Sequence, residues 1–151
     1  SMIGTMSLVP QVVDAVPVPV IASGGIMDGR GIVAALALGA SAVQMGTAFL
    51  ACQEASVPAA YRDALRNTPG ERTTIIEAWD SREDDIMPFP RQNAATRPLR
   101  NAASEANDAR FLSMWAGQGA ALAREPLPAA ELVRLLVREV AEVRESVATD
   151  R

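Results

Sequence analysis

Hydrophobic positions recur along this chain with two periods, and the switches between them mark the elements. Over 7–16, Leu8, Val12, Val13 and Val16 fall at helical spacing behind Ser7, which predicts a short amphipathic helix capped by Ser7. Val16-Pro17-Val18-Pro19 cannot continue a helix. It leads into the β-branched run Val20-Ile21-Ala22, read as a buried strand closing at the glycine turn Ser23-Gly24-Gly25. Asp28 then caps a helix that includes 32–38, with Gly39 as its left-handed terminus. Ala40-Ser41-Ala42-Val43-Gln44-Met45 follows as a second short buried strand, ended by Gly46-Thr47. Strand, helix and strand within about thirty residues make a βαβ unit with parallel pairing.

Past this unit the pattern loosens. Residues 48–55 are small and apolar, and 58–66 read as a helix with Tyr61 and Leu65 four apart. Residues 67–85 are polar and read as a surface loop, with Pro69-Gly70 as a turn and 75–79 too short to stand as an element. Met87-Pro88-Phe89-Pro90 reads as rigid and extended. Two helices are expected at the end of the chain. The first, 102–123, carries Phe111, Leu112, Trp115 and Leu122. The second, 128–147, carries Leu132, Leu135, Leu136, Val140 and Val143 at i, i+3, i+4 spacing, with Glu131, Arg134, Arg138, Glu142 and Glu145 on a solvated opposite face.

Composition bounds what such a chain does. With 49% hydrophobic and 21% charged residues in 151, it is long enough to bury a core without staples. Cys52 is alone, so it forms no internal disulfide and no zinc site by itself, and it reads as a structural thiol. No apolar run reaches the roughly 18 to 20 residues of a membrane span. The first residues lack a signal-peptide pattern and Ser1-Met2 looks like the scar of a cleaved tag, so a cytoplasmic location is expected. A formal net charge of −4 argues against nucleic acid as a partner. There is no histidine, and all fourteen basic residues are arginines. Any mechanism in which this chain supplies an imidazole as acid, base or ligand is therefore excluded.

The chemistry-bearing positions are the two glycine turns, Gly24-Gly25 and Gly46-Thr47, at the C-terminal ends of consecutive parallel strands. Folds with β/α units place ligands there. Glycine lets backbone N–H groups approach a phosphate, Thr47 adds a hydroxyl, and the positive end of a following helix favours the anion. Glycines also punctuate strand-helix junctions without any ligand, and spacing alone does not separate these readings.

The wording of the segment goes further. Val18-Pro19-Val20-Ile21-Ala22-Ser23-Gly24-Gly25-Ile26-Met27-Asp28-Gly29-Arg30-Gly31, then Ala35-Leu36-Ala37-Leu38-Gly39-Ala40 and Val43-Gln44-Met45-Gly46-Thr47-Ala48-Phe49-Leu50, resembles the nitronate monooxygenase family, formerly called 2-nitropropane dioxygenases. The similarity extends back through Gly4-Thr5-Met6-Ser7-Leu8-Val9-Pro10-Gln11-Val12-Val13-Asp14 and forward into Pro88-Phe89-Pro90, Gln92-Asn93 and Trp115-Ala116-Gly117-Gln118-Gly119. The resemblance implies an α/β fold, the C-terminal portion of a TIM-like (β/α)8 barrel followed by C-terminal helices. Residues 1–66 would be the half-barrel segment with the FMN phosphate-binding loops, 67–101 a polar loop and Pro-rich connection, and 102–151 the C-terminal helices. It implies FMN as cofactor, held by Gly24, Gly25, Gln44, Met45, Gly46 and Thr47. It also implies oxidation of an alkyl nitronate with O2 to a carbonyl compound and nitrite. Trp115 and Gln118 lie near the flavin or substrate cavity on this reading; a helix-core Trp and a capping Gln fit the residues equally.

Departures from the family pattern are expected to matter. The barrel alone takes about 250 residues, so the resemblance implies a front half outside this sequence, and residues absent between Thr74 and Ile75. The family histidine that precedes the Gly4-Thr5 region has no counterpart here, so no catalytic residue is assigned to this chain. Two alternatives stay open. One is a flavin-dependent enoyl reductase using a nicotinamide; the other is an inactive half barrel that assembles with a partner, as a homo-oligomer or with the remaining barrel half.

Overall fold

Proline at 17 and 19 bars helix for the residues before each, so α1 (Thr5–Ala15) stops at Val16, which is extended. The chain then enters β1 (Ile21–Ser23), and α2 (Gly29–Ala37) connects it to β2 (Ala42–Gln44). The strands pair in parallel in the register Ile21 with Ala42, Ala22 with Val43 and Ser23 with Gln44. This is the βαβ unit that the periodicity predicts. Residues 3–67, 83–88 and 90–149 are described in this computed structural model. The expected turn at Pro69-Gly70, most of the 67–85 loop, the 75–79 segment, Phe89 and the Thr74–Ile75 junction lie outside the described residues.

Asp28 caps α2 as expected: Oδ1 accepts from the amides of Arg30 at 3.0 Å and Gly31 at 3.2 Å. Gly39 ends the helix at φ +95°, where a side chain would be strained and its Cβ would stand 2.8 Å from Val13. After β2 come α3 (Thr47–Leu50), α4 (Ala59–Asn67), α5 (Arg91–Ala95), α6 (Arg97–Ala106) and the long α7 (Ala129–Thr149).

Three apolar clusters hold these elements together. Val9, Ala22, Ile26, Ala35 and Ala40 join α1, β1 and α2. Leu132 and Leu136 of α7 pack with Cys52 against Ile32, Met45 and Phe49. Tyr61 and Leu65 of α4 pack with Ala103 and Leu112. A buried leucine contributes about 1.5–3 kcal/mol relative to an exposed one, so Leu132 and Leu136 make the second cluster the main attachment of α7.

Four expectations are corrected. Ser7 is not the cap of α1: the helix starts at Thr5, Gly4 occupies the cap position without a side-chain bond, and the Ser7 amide already donates to the Gly4 carbonyl. The strands are not fully buried. Ala22 is 2% exposed, but Ile21 is 62% exposed, and Ala42 and Gln44 are open as well. A parallel sheet reaches full burial only when both faces and edges are covered, and two strands cannot do that for each other. The helix expected over 102–123 is broken: α6 ends at Asn107, which sits at φ 52°. Short 3-10 turns at Ala109–Phe111 and Gln118–Leu122 flank an extended stretch instead. Asn107 helps hold that break, because its Oδ1 accepts from the Ala60 amide at 2.9 Å and ties the turn to the start of α4. Finally, the extended reading of 87–90 ends early: Pro90 is in a turn that caps α5. Among the described residues no helix is long and apolar enough to cross a membrane.

Candidate functional site

The first glycine turn has a conformational reason for its composition. Gly24 lies at φ +110° and Gly25 at φ +72°, a region other residues adopt only with strain. Thr5, at the start of α1, donates its hydroxyl to the Gly24 carbonyl at 2.9 Å and so pins the turn. A Cβ on Gly24 would meet that hydroxyl at 3.0 Å, while one on Gly25 would meet nothing within 4 Å.

Gly46 is different. Its φ of −94° and ψ of −66° suit any residue, and a Cβ there would meet nothing within 4 Å. Neither backbone nor packing asks for glycine, yet the residue leaves bare main chain facing open space. The Gly25 and Gly46 amides donate to no acceptor among the described residues. Gln44 is exposed at the end of β2, opposite Ser23. Met45 is half-buried and turns its side chain between two of the apolar clusters, so it presents only backbone to the turn.

A third segment, one the helix expected over 102–123 would have hidden, meets both turns. The Gly117 amide donates to Thr47 Oγ1 at 3.0 Å. A Cβ on Gly117 would stand 3.6 Å from that oxygen and 3.9 Å from the Gly25 nitrogen, so both turns come within 4 Å of one point. A Cβ on Gly119 would stand 3.3 Å from the Gly25 carbonyl and only 2.6 Å from Met27. The spacing Gly117-x-Gly119 was the available signal for this contact. Trp115 is not a helix-core residue: it is 64% exposed in the extended stretch, with its indole N–H donating to Ser113 Oγ at 2.8 Å.

The helix end expected to assist an anion does not do so. At the N-terminus of α2, the Gly29 amide donates to Glu139 Oε2 at 3.0 Å, and Arg30 and Gly31 donate to Asp28. Three of the four free donors of that helix end are thus already satisfied. Asp28 also takes the Arg30 guanidinium. That bond holds the Asp28 carboxyl below the usual carboxylate range, against the opposing effect of its burial. Behind it, a cleft of about 230 Å³ lies between α2 and α7, lined by Asp28, Gly29, Arg30, Arg124, Glu139, Glu142 and Val143. The Arg124–Glu139 pair at 2.5 Å closes this seam. Its charges serve each other, and the two glycine turns do not line it.

What remains at the turns is a set of neutral donors, two main-chain amides and the Thr47 hydroxyl, at the carboxyl ends of two parallel strands. The model of the family described as nitronate monooxygenase matches residues 1–84. The chain belongs to the nitronate monooxygenase family. Among its relatives, a nitronate monooxygenase of Pseudomonas aeruginosa is 47% identical over 155 residues, covering 91% of this chain and 44% of the relative. A probable nitronate monooxygenase of Staphylococcus aureus is 39% identical over 158 residues, covering 94% of this chain and 44% of the relative. The chain thus spans under half the length of these relatives. In structure it is similar to nitroalkane oxidase from Streptomyces ansochromogenes, with a TM-score of 0.84 at 42% identity, covering 96% of this chain and 46% of the other. It is also similar to FabK from Thermotoga maritima, with a TM-score of 0.82 at 32% identity, covering 100% and 53%. The fold is accordingly part of a TIM barrel followed by C-terminal helices, and the open faces of β1 and β2 are those of barrel strands.

Proposed function

We propose that the protein is an FMN-dependent nitronate monooxygenase and that Gly24, Gly25, Gln44, Met45, Gly46 and Thr47 hold the cofactor's phosphate end. The observation that carries the reading is Gly46, a glycine that neither φ nor packing requires, whose Cβ position is open and whose amide has no acceptor among the described residues. The donor set fits a phosphate monoester. Gly25 and Gly46 offer N–H groups, Met45 its backbone, Gln44 an exposed side-chain amide, and Thr47 a hydroxyl. Because Thr47 Oγ1 already accepts from Gly117, its own hydrogen is left to donate to an oxygen of the phosphate. No carboxylate competes, since Asp28 is committed to Arg30 and Gly31. The anion is then held by the glycine nest rather than by a helix dipole.

When bound, FMN supplies the redox chemistry by which an alkyl nitronate and dioxygen give a carbonyl compound and nitrite. The residues here bind and orient; a small-molecule substrate and O2 are the partners of the reaction. Identities of 47% and 39% to proteins named nitronate monooxygenase favour this over enoyl reduction with a nicotinamide.

The test compares FMN with riboflavin, which lacks the phosphate, by equilibrium binding to the whole protein. Gly46→Val and Gly25→Val should remove the preference for FMN, whereas Arg138→Ala on the solvated face of α7 should keep it. Retained preference in both glycine variants sinks the assignment. Oxygen uptake with a nitronate and no NAD(P)H should accompany the wild-type binding, and strict NAD(P)H dependence would favour the reductase.

A further inference from the structure

Tyr61 lies on α4, outside every residue assigned to the site, and is 8% exposed among Leu65, Ala103 and Leu112. A tyrosine buried for packing alone leaves its hydroxyl a problem, because an unpaired buried hydroxyl is costly. Here both capacities of the hydroxyl are spent on one residue. It donates to the Trp115 carbonyl at 2.5 Å and accepts from the Trp115 amide at 2.6 Å. One hydroxyl thus takes both the N–H and the C=O of a single residue, and the phenol grips the main chain at that point.

Two residues on, that same main chain delivers the Gly117 amide to Thr47 Oγ1 at 3.0 Å, and then passes Gly25. Met114 and Ala116 pack against the same cluster, but packing leaves the main chain of 115 free to slide; the Tyr61 hydroxyl makes the side-chain hydrogen bonds to it, while the Trp115 ring is exposed and its indole bonds its near neighbour Ser113. Without the phenol, the stretch loses both bonds that fix its height over the glycine turns.

We propose that Tyr61 is a positioning residue for the anion site, holding 115–117 so that Gly117 occupies the Thr47 lone pair and leaves the Thr47 hydrogen for the bound phosphate. This rests on the phosphate-site reading above. Burial pushes the Tyr61 hydroxyl up from its ordinary value, only partly offset by the Trp115 bond, so it keeps the proton it donates through the neutral range.

Tyr61→Phe keeps the ring and removes only the hydroxyl. In the whole protein it should weaken FMN about threefold to tenfold while leaving riboflavin affinity unchanged, because the two ligands differ only at the phosphate. Loss of both affinities alike would reduce Tyr61 to core packing and overturn the inference, as would no change in either. A second variant approaches the same link without touching the α4 core: Trp115→Gly frees the stretch and should lower the FMN-to-riboflavin ratio in the same direction. If Tyr61→Phe does not fold, that ratio in Trp115→Gly decides the matter, and an unchanged ratio overturns the inference. In a Thr47→Val background, Tyr61→Phe should have no further effect on the ratio, and additive losses would refute the proposed route. Gly46→Val separates the two levels. If it and Gly25→Val both leave the preference for FMN intact, the phosphate site itself is wrong; if they abolish the preference while Tyr61→Phe does not lower it, only the positioning role fails.

Discussion

Gly29→Ala puts the seating of α7 on α2 to the test. Gly29 is the first residue of α2, and its missing side chain leaves room for the close approach of α7. A Cβ there would stand 2.4 Å from Glu139 Cβ, 2.6 Å from the Glu139 carbonyl carbon and 2.8 Å from the Val140 nitrogen. Two of these three are main-chain atoms, so no rotamer change relieves them and α7 must move. Moving it also strains the Gly29 amide bond to Glu139 at 3.0 Å and the packing of Leu132 and Leu136. Overpacking of this kind costs about 1–3 kcal/mol, and alanine's better helix propensity returns somewhat under 1 kcal/mol. A net loss of about 1 kcal/mol lowers the melting midpoint by about 2–4 °C in a domain of 150–250 residues. Thermal unfolding followed by far-ultraviolet circular dichroism reads this directly. A midpoint within a degree of wild type would refute the reasoning, because it would mean that α7 does not sit against α2 at this residue. FMN preference should survive the substitution, since the glycine turns are not part of the seam.

Asp28 gives a pH prediction. Its folded pKa lies below the ordinary 3.8, so its contribution to stability is fully present above about pH 5 and is lost as pH falls through the folded value. Asp28→Ala should cost about 1 kcal/mol near neutrality through the lost cap, and the gap between variant and wild type should narrow in acid denaturation; a gap that widens would contradict the sign. Cys52 is 3% exposed, and burial, with Glu54 nearby, pushes its thiol up from its ordinary value. It should react with a disulfide reagent at least about 100-fold more slowly in the folded protein than in denaturant. Gly29→Ala should speed that reaction, because Leu132 and Leu136 cover the thiol.

The βαβ unit was legible because its signals are local: the proline pair, the Asp28 cap and the Gly39 stop each act within a few residues. Most of the broken helix over 107–123 was not. Phe111, Leu112, Trp115 and Leu122 give helical spacing, but the segment is bent by partners distant in sequence, Ala60 on Asn107, Tyr61 on Trp115 and Thr47 on Gly117. Only Asn107 and the pair Gly117 and Gly119 carried a local hint. That the amides at the start of α2 are already taken was hidden for the same reason. The acceptor at Gly29, Glu139, is 110 residues away and reaches it only once α7 has packed.

The glycines also show why composition at the turns could not by itself separate ligand from punctuation. Gly24 and Gly25 have positive φ, Gly39 has positive φ and a crowded neighbour, and Gly29 has a crowded neighbour alone. Each of these has a fold reason that a ligand-free protein would share. Gly46 has neither, and it is this residue that moves the reading from a strand-end turn to a binding turn. Elsewhere in the chain Asp28 is shifted downward and Tyr61 and Cys52 upward, each away from neutrality. None of the three is set to exchange a proton near pH 7, and no histidine is present to do so. On the proposed phosphate site, the pull on the ligand is therefore one of fixed hydrogen-bond donors. FMN affinity should be flat with pH wherever the phosphate's own charge is constant, and a bell-shaped dependence would point to a titrating residue that this reading does not contain.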